Sequence, residues 1–279
     1  MKRGTLTTSL RTSLSLLLAF TLLCALPARA DDYTDIWWSN PKEDGWGVNM
    51  IQSQDFIFAT FFVYGPAPAK TPIWYAGNLS RSTDGTNFSG GLYLTTGTGI
   101  GAPWNPADHP DAIRVGTATF TPADTTSGAL VYTVNTGAQV LTVTKSIVRQ
   151  TLTSIAIGGN YFGTAVVVHS GCKTSSDNGT VLTDFDPVIS QSTNGQLQLD
   201  FLYAGNENCT FAGTYAQEGQ LFRVPVASYV CKNGSTTTVN TTATLYEMKA
   251  TSIGFEGRWF VQDSGGGCVE TGKFATVFP

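Results

Sequence analysis

Few residues in this chain have types and spacing suited to chemistry. His109 lies in Pro106-Ala107-Asp108-His109-Pro110-Asp111, beside two carboxylates that could help it hold a metal ion or move a proton. Such a site needs partners converging from several segments, and this stretch is turn-rich, so a solvated surface histidine is the expectation. His169, which ends a strand-like run before Gly171-Cys172, is expected to be structural. Asp184 and Asp186 flank Phe185 and would share one face of a strand. A glycosidase needs opposed carboxyls, whereas acids side by side read as a solvated face. The sequence has no nucleophile elbow, phosphate loop or dinucleotide fingerprint. No catalytic residue, metal ligand or cofactor is assigned.

The remaining chemistry is aromatic. Trp37, Trp38, Trp46 and Trp74, four of six tryptophans, fall between Ile36 and Tyr75, with the apolar run Phe56–Tyr64 among them. Adjacent residues of a strand point to opposite faces, so one of Trp37 and Trp38, and one of Trp74 and Tyr75, should reach a surface or a rim. Trp37, Trp38, Trp46, Trp74 and Tyr75 are therefore the candidate ligand-binding residues. Their rings could stack on a sugar or an apolar molecule. Phe56, Phe58, Phe62 and Tyr64 share one face of their run, and Ile57, Ala59, Phe61 and Val63 share the other. A strand apolar on both faces is expected to be covered on both.

The elements that must position these rings begin after residue 30. Lys2, Arg3 and Arg11, the apolar stretch Leu14–Leu26 and Ala28-Arg29-Ala30 form a secretory signal peptide, residues 1–30. Its apolar core is shorter than the ~20 residues of a membrane span. Leu22 and Leu23 precede Cys24 where a lipid-attachment site would need small residues, so Cys24 is expected to leave with the signal. Removing four basic residues leaves twelve Lys and Arg against twenty Asp and Glu, a net charge near −8. That balance disfavours nucleic acid or an anionic membrane as partner, and no transmembrane segment is expected after cleavage.

Cys172, Cys209, Cys231 and Cys268 all lie in the second half. An even number in an exported chain reads as two disulfides, and no C-x₂-C pair suggests zinc. Three pairings are open. Cys172–Cys209 with Cys231–Cys268 is favoured, because both would link consecutive segments of a meander. The first half has no cysteine and must rely on its aromatic core.

Gly, Pro and Asn-Gly or Asp-Gly signals recur too closely for long helices. Eight strand-length runs lie between Ile36 and Arg149 and eight between Tyr161 and Phe278. Turns are expected at Asp84-Gly85, Ser127-Gly128 and Thr136-Gly137. The halves are weakly alike: Thr117-Ala118-Thr119-Phe120 echoes Thr242-Ala243-Thr244-Leu245. Each half has the size of one domain. The expected fold is all-β, with two tandem antiparallel meander β-barrel-like domains at 31–152 and 153–279. β-Sandwiches are the alternative.

Several motifs also carry a resemblance. Trp37-Trp38-x-x-Pro41, Gly45-Trp46-Gly47, Phe58-x-Thr60-x-Phe62-x-Tyr64 and Pro72-x-Trp74-Tyr75 resemble a set of secreted bacterial proteins without an assigned activity. Tyr229-x-Cys231 and Gly254-Phe255-x-Gly257-Arg258 extend the likeness over nearly the whole mature chain. Many members have Ser at the position of Asp44. The resemblance implies an exported β protein of a Gram-negative bacterium and brings no catalytic residues. Gly45-Trp46 is also similar to the G-x-W region of lipocalins and avidins, which implies a small barrel closed at one end by an aromatic.

The functional expectation is a non-catalytic binding protein, periplasmic or secreted. Its aromatic-lined cavity or rim in the first domain would take a small apolar or carbohydrate ligand. The alternative is a structural, adhesion or protein-interaction module of the cell envelope. An enzyme would require acids and a histidine from distant segments to meet in one cleft.

Overall fold

The computed structural model describes residues 31–68, 70–108, 112–264 and 267–279. The expected signal peptide with Cys24, and the loop residues His109 and Asp111, lie outside the described residues. The chain is all-β, with two closed antiparallel eight-stranded barrels and no α-helix among the described residues.

The first barrel is formed by β1 (Asp35–Ser39), β2 (Gly47–Ser53), β3 (Phe56–Tyr64), β4 (Pro72–Arg81), β5 (Phe88–Leu94), β6 (Ile113–Pro122), β7 (Ser127–Asn135) and β8 (Val140–Arg149). Each strand pairs with the next. The ring closes where β1 meets β8, with Trp37 opposite Arg149 and Trp38 opposite Val148. Closure leaves no free edge. Period-two alternation turns one set of side chains inward. Trp37, Val48, Met50, Ile57, Phe61, Leu79, Phe88, Phe120 and Leu130 are completely buried and fill the lumen. Tyr33 and Phe120 meet edge to face with centroids 5.2 Å apart, and Trp37 lies 5.4 Å from Phe120.

The second barrel runs through β10 (Phe162–Ser170), β11 (Gly179–Gln191), β12 (Gln196–Tyr203), β13 (Glu207–Thr214), β15 (Leu221–Asn233), β16 (Thr236–Ala250), β17 (Phe255–Val261) and β18 (Val269–Val277). It closes through β10, which pairs with both β11 and β18. Two short strands, β9 (Gly159–Asn160) and β14 (Ala216–Glu218), add to β11 and β15. The repeated Thr-Ala-Thr segments occupy the sixth strand of each ring, β6 and β16. Ala118 and Phe120 point into one lumen, and Ala243 and Leu245 into the other.

Three expectations need correction. Ser127-Gly128 is not a turn: it opens β7, and the reversal lies just before it. Gly128 faces the lumen, where a Cβ would stand 2.7 Å from the Phe120 ring, so it makes room for that ring. The disulfides are Cys172–Cys268 and Cys209–Cys231, not Cys172–Cys209 and Cys231–Cys268. Cys209 and Cys231 stand directly opposite each other on β13 and β15. Cys172 and Cys268 flank the β10–β18 seam, where Ser170 pairs with Val269, so closure brings the ends of the ring together. The third correction concerns β3, whose outer face is not covered.

The strands of the two barrels fall on either side of residues 150–158, and a buried polar junction joins them. Asp35 Oδ2 lies 3.0 Å from Arg149 Nη1 and accepts the backbone N–H of Gln220 at 3.0 Å. Gly219 sits in the left-handed region at φ +63°, where a Cβ would come within 2.2 Å of the Asp35 carboxylate. Glycine there answers both the backbone conformation and the close approach.

Candidate functional site

The outward residues of β3 are Phe56, Phe58, Thr60, Phe62 and Tyr64, and the four rings are 38–58% exposed. Register sets their neighbours. Phe62 stands opposite Gly47 on β2 and Trp74 on β4. Trp74 is 63% exposed. Trp37 pairs with Val48, so the outward Trp38 takes the next place on β1, beside Gly47. A Cβ on Gly47 would touch only the Trp37 carbonyl, at 3.5 Å. The missing side chain leaves an open floor with Trp38 on one side and Phe62 on the other.

A groove of about 740 Å³ forms over this row, lined by Trp38, Trp46, Phe62, Tyr64 and Trp74 among others. One rim is the segment Lys42-Glu43-Asp44. Lys42 Nζ lies 3.2 Å from Asp44 Oδ1 and 5.1 Å from the Trp38 ring centroid. Glu43 pairs with Lys145, whose Nζ is 5.8 Å from the Trp46 ring. Gly45 holds φ +86°, and a Cβ on it would meet the Tyr64 ring at 2.9 Å, so the loop lies against that ring. The rim charges are paired, and the floor is apolar.

The five sequence candidates divide by alternation. Trp38 and Trp74 face out into the groove. Trp46 lines the groove and also packs on the end of the first core, where its indole N–H donates to the Tyr132 hydroxyl at 3.0 Å. Burial raises the pKa of Tyr132, against the opposing effect of that indole bond. Trp37 and Tyr75 point into the lumen. Trp37 is fully buried and donates to the Tyr33 carbonyl at 3.0 Å. Burial raises the pKa of Tyr75. Apolar residues on both faces of β3 point to a covered strand, so the sequence does not single out Phe62 and Tyr64, which the structure places on an exposed face. The signal that could have found them is the meander itself: a filled eight-stranded ring covers one face of each strand and leaves the other to solvent.

The second barrel brings an acid and a histidine together. Glu270, 4% exposed, accepts the Trp259 indole N–H at 2.6 Å and the Tyr229 hydroxyl at 3.1 Å, and His169 Nε2 lies 3.3 Å from its other oxygen. His169 and Glu270 are register partners on β10 and β18. Burial, with the Glu270 charge second, pushes the pKa values of Tyr229 and Tyr203 up. Glu270 is thus held by donors inside a packed core. None of these residues lines the groove above or the second groove, about 770 Å³, beside Phe162 and Ile253. Asp184 and Asp186 share the exposed face of β11, on the rim of that second groove. Among the described residues no group of three or more His, Cys, Asp or Glu could hold a metal ion. No helix among them is long and apolar enough to cross a membrane. The two disulfides fit an oxidising compartment.

Fold and groove define a double-barrel β protein with an aromatic outer wall. No family model matches the chain, and no curated protein matches it. Its similarity among solved structures includes a protein of unknown function from the DUF3598 family of Nostoc punctiforme. That likeness is 10% identical in sequence, covers 88% of this chain and 96% of the other, and has a TM-score of 0.27.

Proposed function

We propose that this chain is an exported, non-catalytic binding protein that takes an apolar or carbohydrate ligand on the outer wall of its first barrel. The observation that carries the reading is the row Trp38–Gly47–Phe62–Trp74, where exposed rings border a gap left by a glycine. Soluble proteins rarely expose contiguous aromatic surface without a use for it. In this reading residues 1–30 are a signal peptide, and 31–152 and 153–279 are two domains of a periplasmic or secreted protein. Trp38, Trp46 and Trp74 contact the ligand, while Trp37 and Tyr75 hold the wall from inside.

Tryptophan fluorescence titrated with lipids, neutral sugars and cell-wall fragments tests this. One class should change the emission of the native chain and fail to change that of Trp74→Ala. No response to any class, or equal responses from both proteins, would overturn the proposal.

A further inference from the structure

We propose that the groove is one end of a longer platform, and that its ligand is an extended, uncharged polysaccharide lying along β3. The inference rests on the reading of the groove as a binding site and names its substrate class. At ~3.4 Å per residue the outward positions from Phe56 to Tyr64 span about 27 Å. Their rings alternate with short polar groups from three strands. Phe56 has Ser53 and Ser80 beside it, Phe58 has Ile51 and Asn78, and Thr60 has Asn49 and Ala76.

The polar groups decide the ligand. Asn49, Ser53, Thr60, Asn78 and Ser80 present amides and hydroxyls at outward, half-buried or exposed positions of β2, β3 and β4. Amides and hydroxyls both donate and accept, as sugar hydroxyls do. An acyl chain or a dry protein face would bury them without partners, at the cost of a lost hydrogen bond each. A pyranose offers an apolar face to the rings and hydroxyls to the groups between them.

Charge complementarity points the same way. No Asp, Glu, Lys or Arg occupies an outward position from Gly47 to Ser53 on β2, from Phe56 to Tyr64 on β3 or from Pro72 to Ser80 on β4. The nearest charges lie beyond the two ends: Lys42 paired with Asp44, Arg81 paired with Asp55, and the exposed Lys70 in the loop before Pro72. An anionic glycan or a phospholipid surface would find no cation among the outward positions of the three strands.

Binding of a size series of neutral oligosaccharides, from disaccharide to hexasaccharide, tests this by calorimetry on the full chain without its leader. Polygalacturonate and phosphatidylglycerol vesicles serve as anionic controls. At least one neutral hexasaccharide should bind about tenfold or more tighter than its disaccharide, and the controls should not bind. Replacing Phe56 and Phe58 together by alanine should remove that length dependence, bringing hexasaccharide affinity down to the disaccharide's. Both rings are exposed, so circular dichroism should show the fold retained.

A hexasaccharide no tighter than the disaccharide, or one indifferent to the double variant, overturns the platform while leaving the groove. A lipid that binds in place of every neutral glycan, with binding lost in Trp74→Ala, overturns the ligand class alone. Glycan binding indifferent to Trp74→Ala overturns the groove and the platform together.

Discussion

The carboxylate of Asp35 accepts the backbone N–H of Gln220 at 3.0 Å, a bond across 185 residues of sequence that ties the second barrel to the first. The same oxygen faces Arg149, whose guanidinium also donates to the carbonyls of Thr34 and Thr125 and lies 5.0 Å from the Trp37 ring. Asp35 and Arg149 are both buried, so neither charge has water as an alternative partner. Asp35→Asn keeps the size of the side chain but removes the carboxylate charge that faces the guanidinium at 3.0 Å. Breaking a buried pair from one side costs about 3–5 kcal/mol. Urea unfolding should show a loss of that order, and the second barrel's tyrosine signal should shift with it if the junction couples the two.

Trp37 and Trp74 should respond in opposite ways to truncation. Trp37 fills the first lumen and is entirely buried, so Trp37→Ala should cost about 3–5 kcal/mol through lost burial and a cavity. Trp74 stands on the outer wall, so Trp74→Ala should change stability by no more than about 0.5 kcal/mol. Chemical denaturation of both variants checks the contrast. A large loss for Trp74→Ala would mean that its ring supports the barrel.

Much of this architecture was legible in the chain. Strands such as Gln196–Tyr203 and Phe255–Val261 alternate cleanly and are bounded by Gly, Asn or Asp, so local pattern and final structure agree. Opposite orientations for Trp37 and Trp38 followed from the same period. Other features depended on distant partners. Gly128 looked like a turn residue because nothing nearby announces the Phe120 ring that needs its space. The pairing of Cys172 with Cys268 depends on which strand closes the ring, a contact between residues 96 apart. The outer face of β3 is open because a single filled ring covers only one side of each strand, and apolar residues on both sides look the same in the sequence whether a second layer covers them or solvent does.

The two disulfides should contribute unequally. Cys172–Cys268 spans 96 residues and Cys209–Cys231 spans 22. Loop-closure entropy assigns about 4–5 kcal/mol to the longer loop and about 3 kcal/mol to the shorter. Replacing the first pair by serine should lower the urea midpoint more than replacing the second. Peptide mapping under non-reducing conditions should recover these two linkages.

Alkaline pH should weaken the second barrel. Burial first, and the neighbouring Glu270 charge second, raise the pKa values of Tyr229 and Tyr203 above the ordinary 10.0. Below that value both phenols are neutral in folded and unfolded chains, and their contribution is complete. Above it the unfolded chain releases protons that the folded chain keeps, so stability falls as pH rises towards the folded pKa values. Unfolding midpoints measured on either side of about pH 10 should show this decline, and Tyr229→Phe should flatten it. Phenolate absorbance of the native chain, compared with that of Tyr229→Phe and Tyr203→Phe, should place the ionisation of these two phenols above the ordinary range.

Gly272 should prove intolerant of any side chain. It lies opposite Trp259 on the neighbouring strand, and a Cβ there would fall 2.0 Å from the indole ring. The ring cannot move without cost, because its N–H is held by Glu270 at 2.6 Å inside the core. Gly272→Ala therefore combines overpacking, about 1–3 kcal/mol, with a buried carboxylate that loses a donor, about 1–3 kcal/mol more. Denaturation should register the sum, and near-ultraviolet circular dichroism should report the displaced indole. Trp259→Phe removes the donor without overpacking, so it should lose the hydrogen-bond share plus the cost of the cavity that the smaller ring leaves in the core. If Gly272→Ala were as stable as the native chain, the ring would have to have an alternative position, and the tight contact between Gly272 and Trp259 would not be a constraint on the fold.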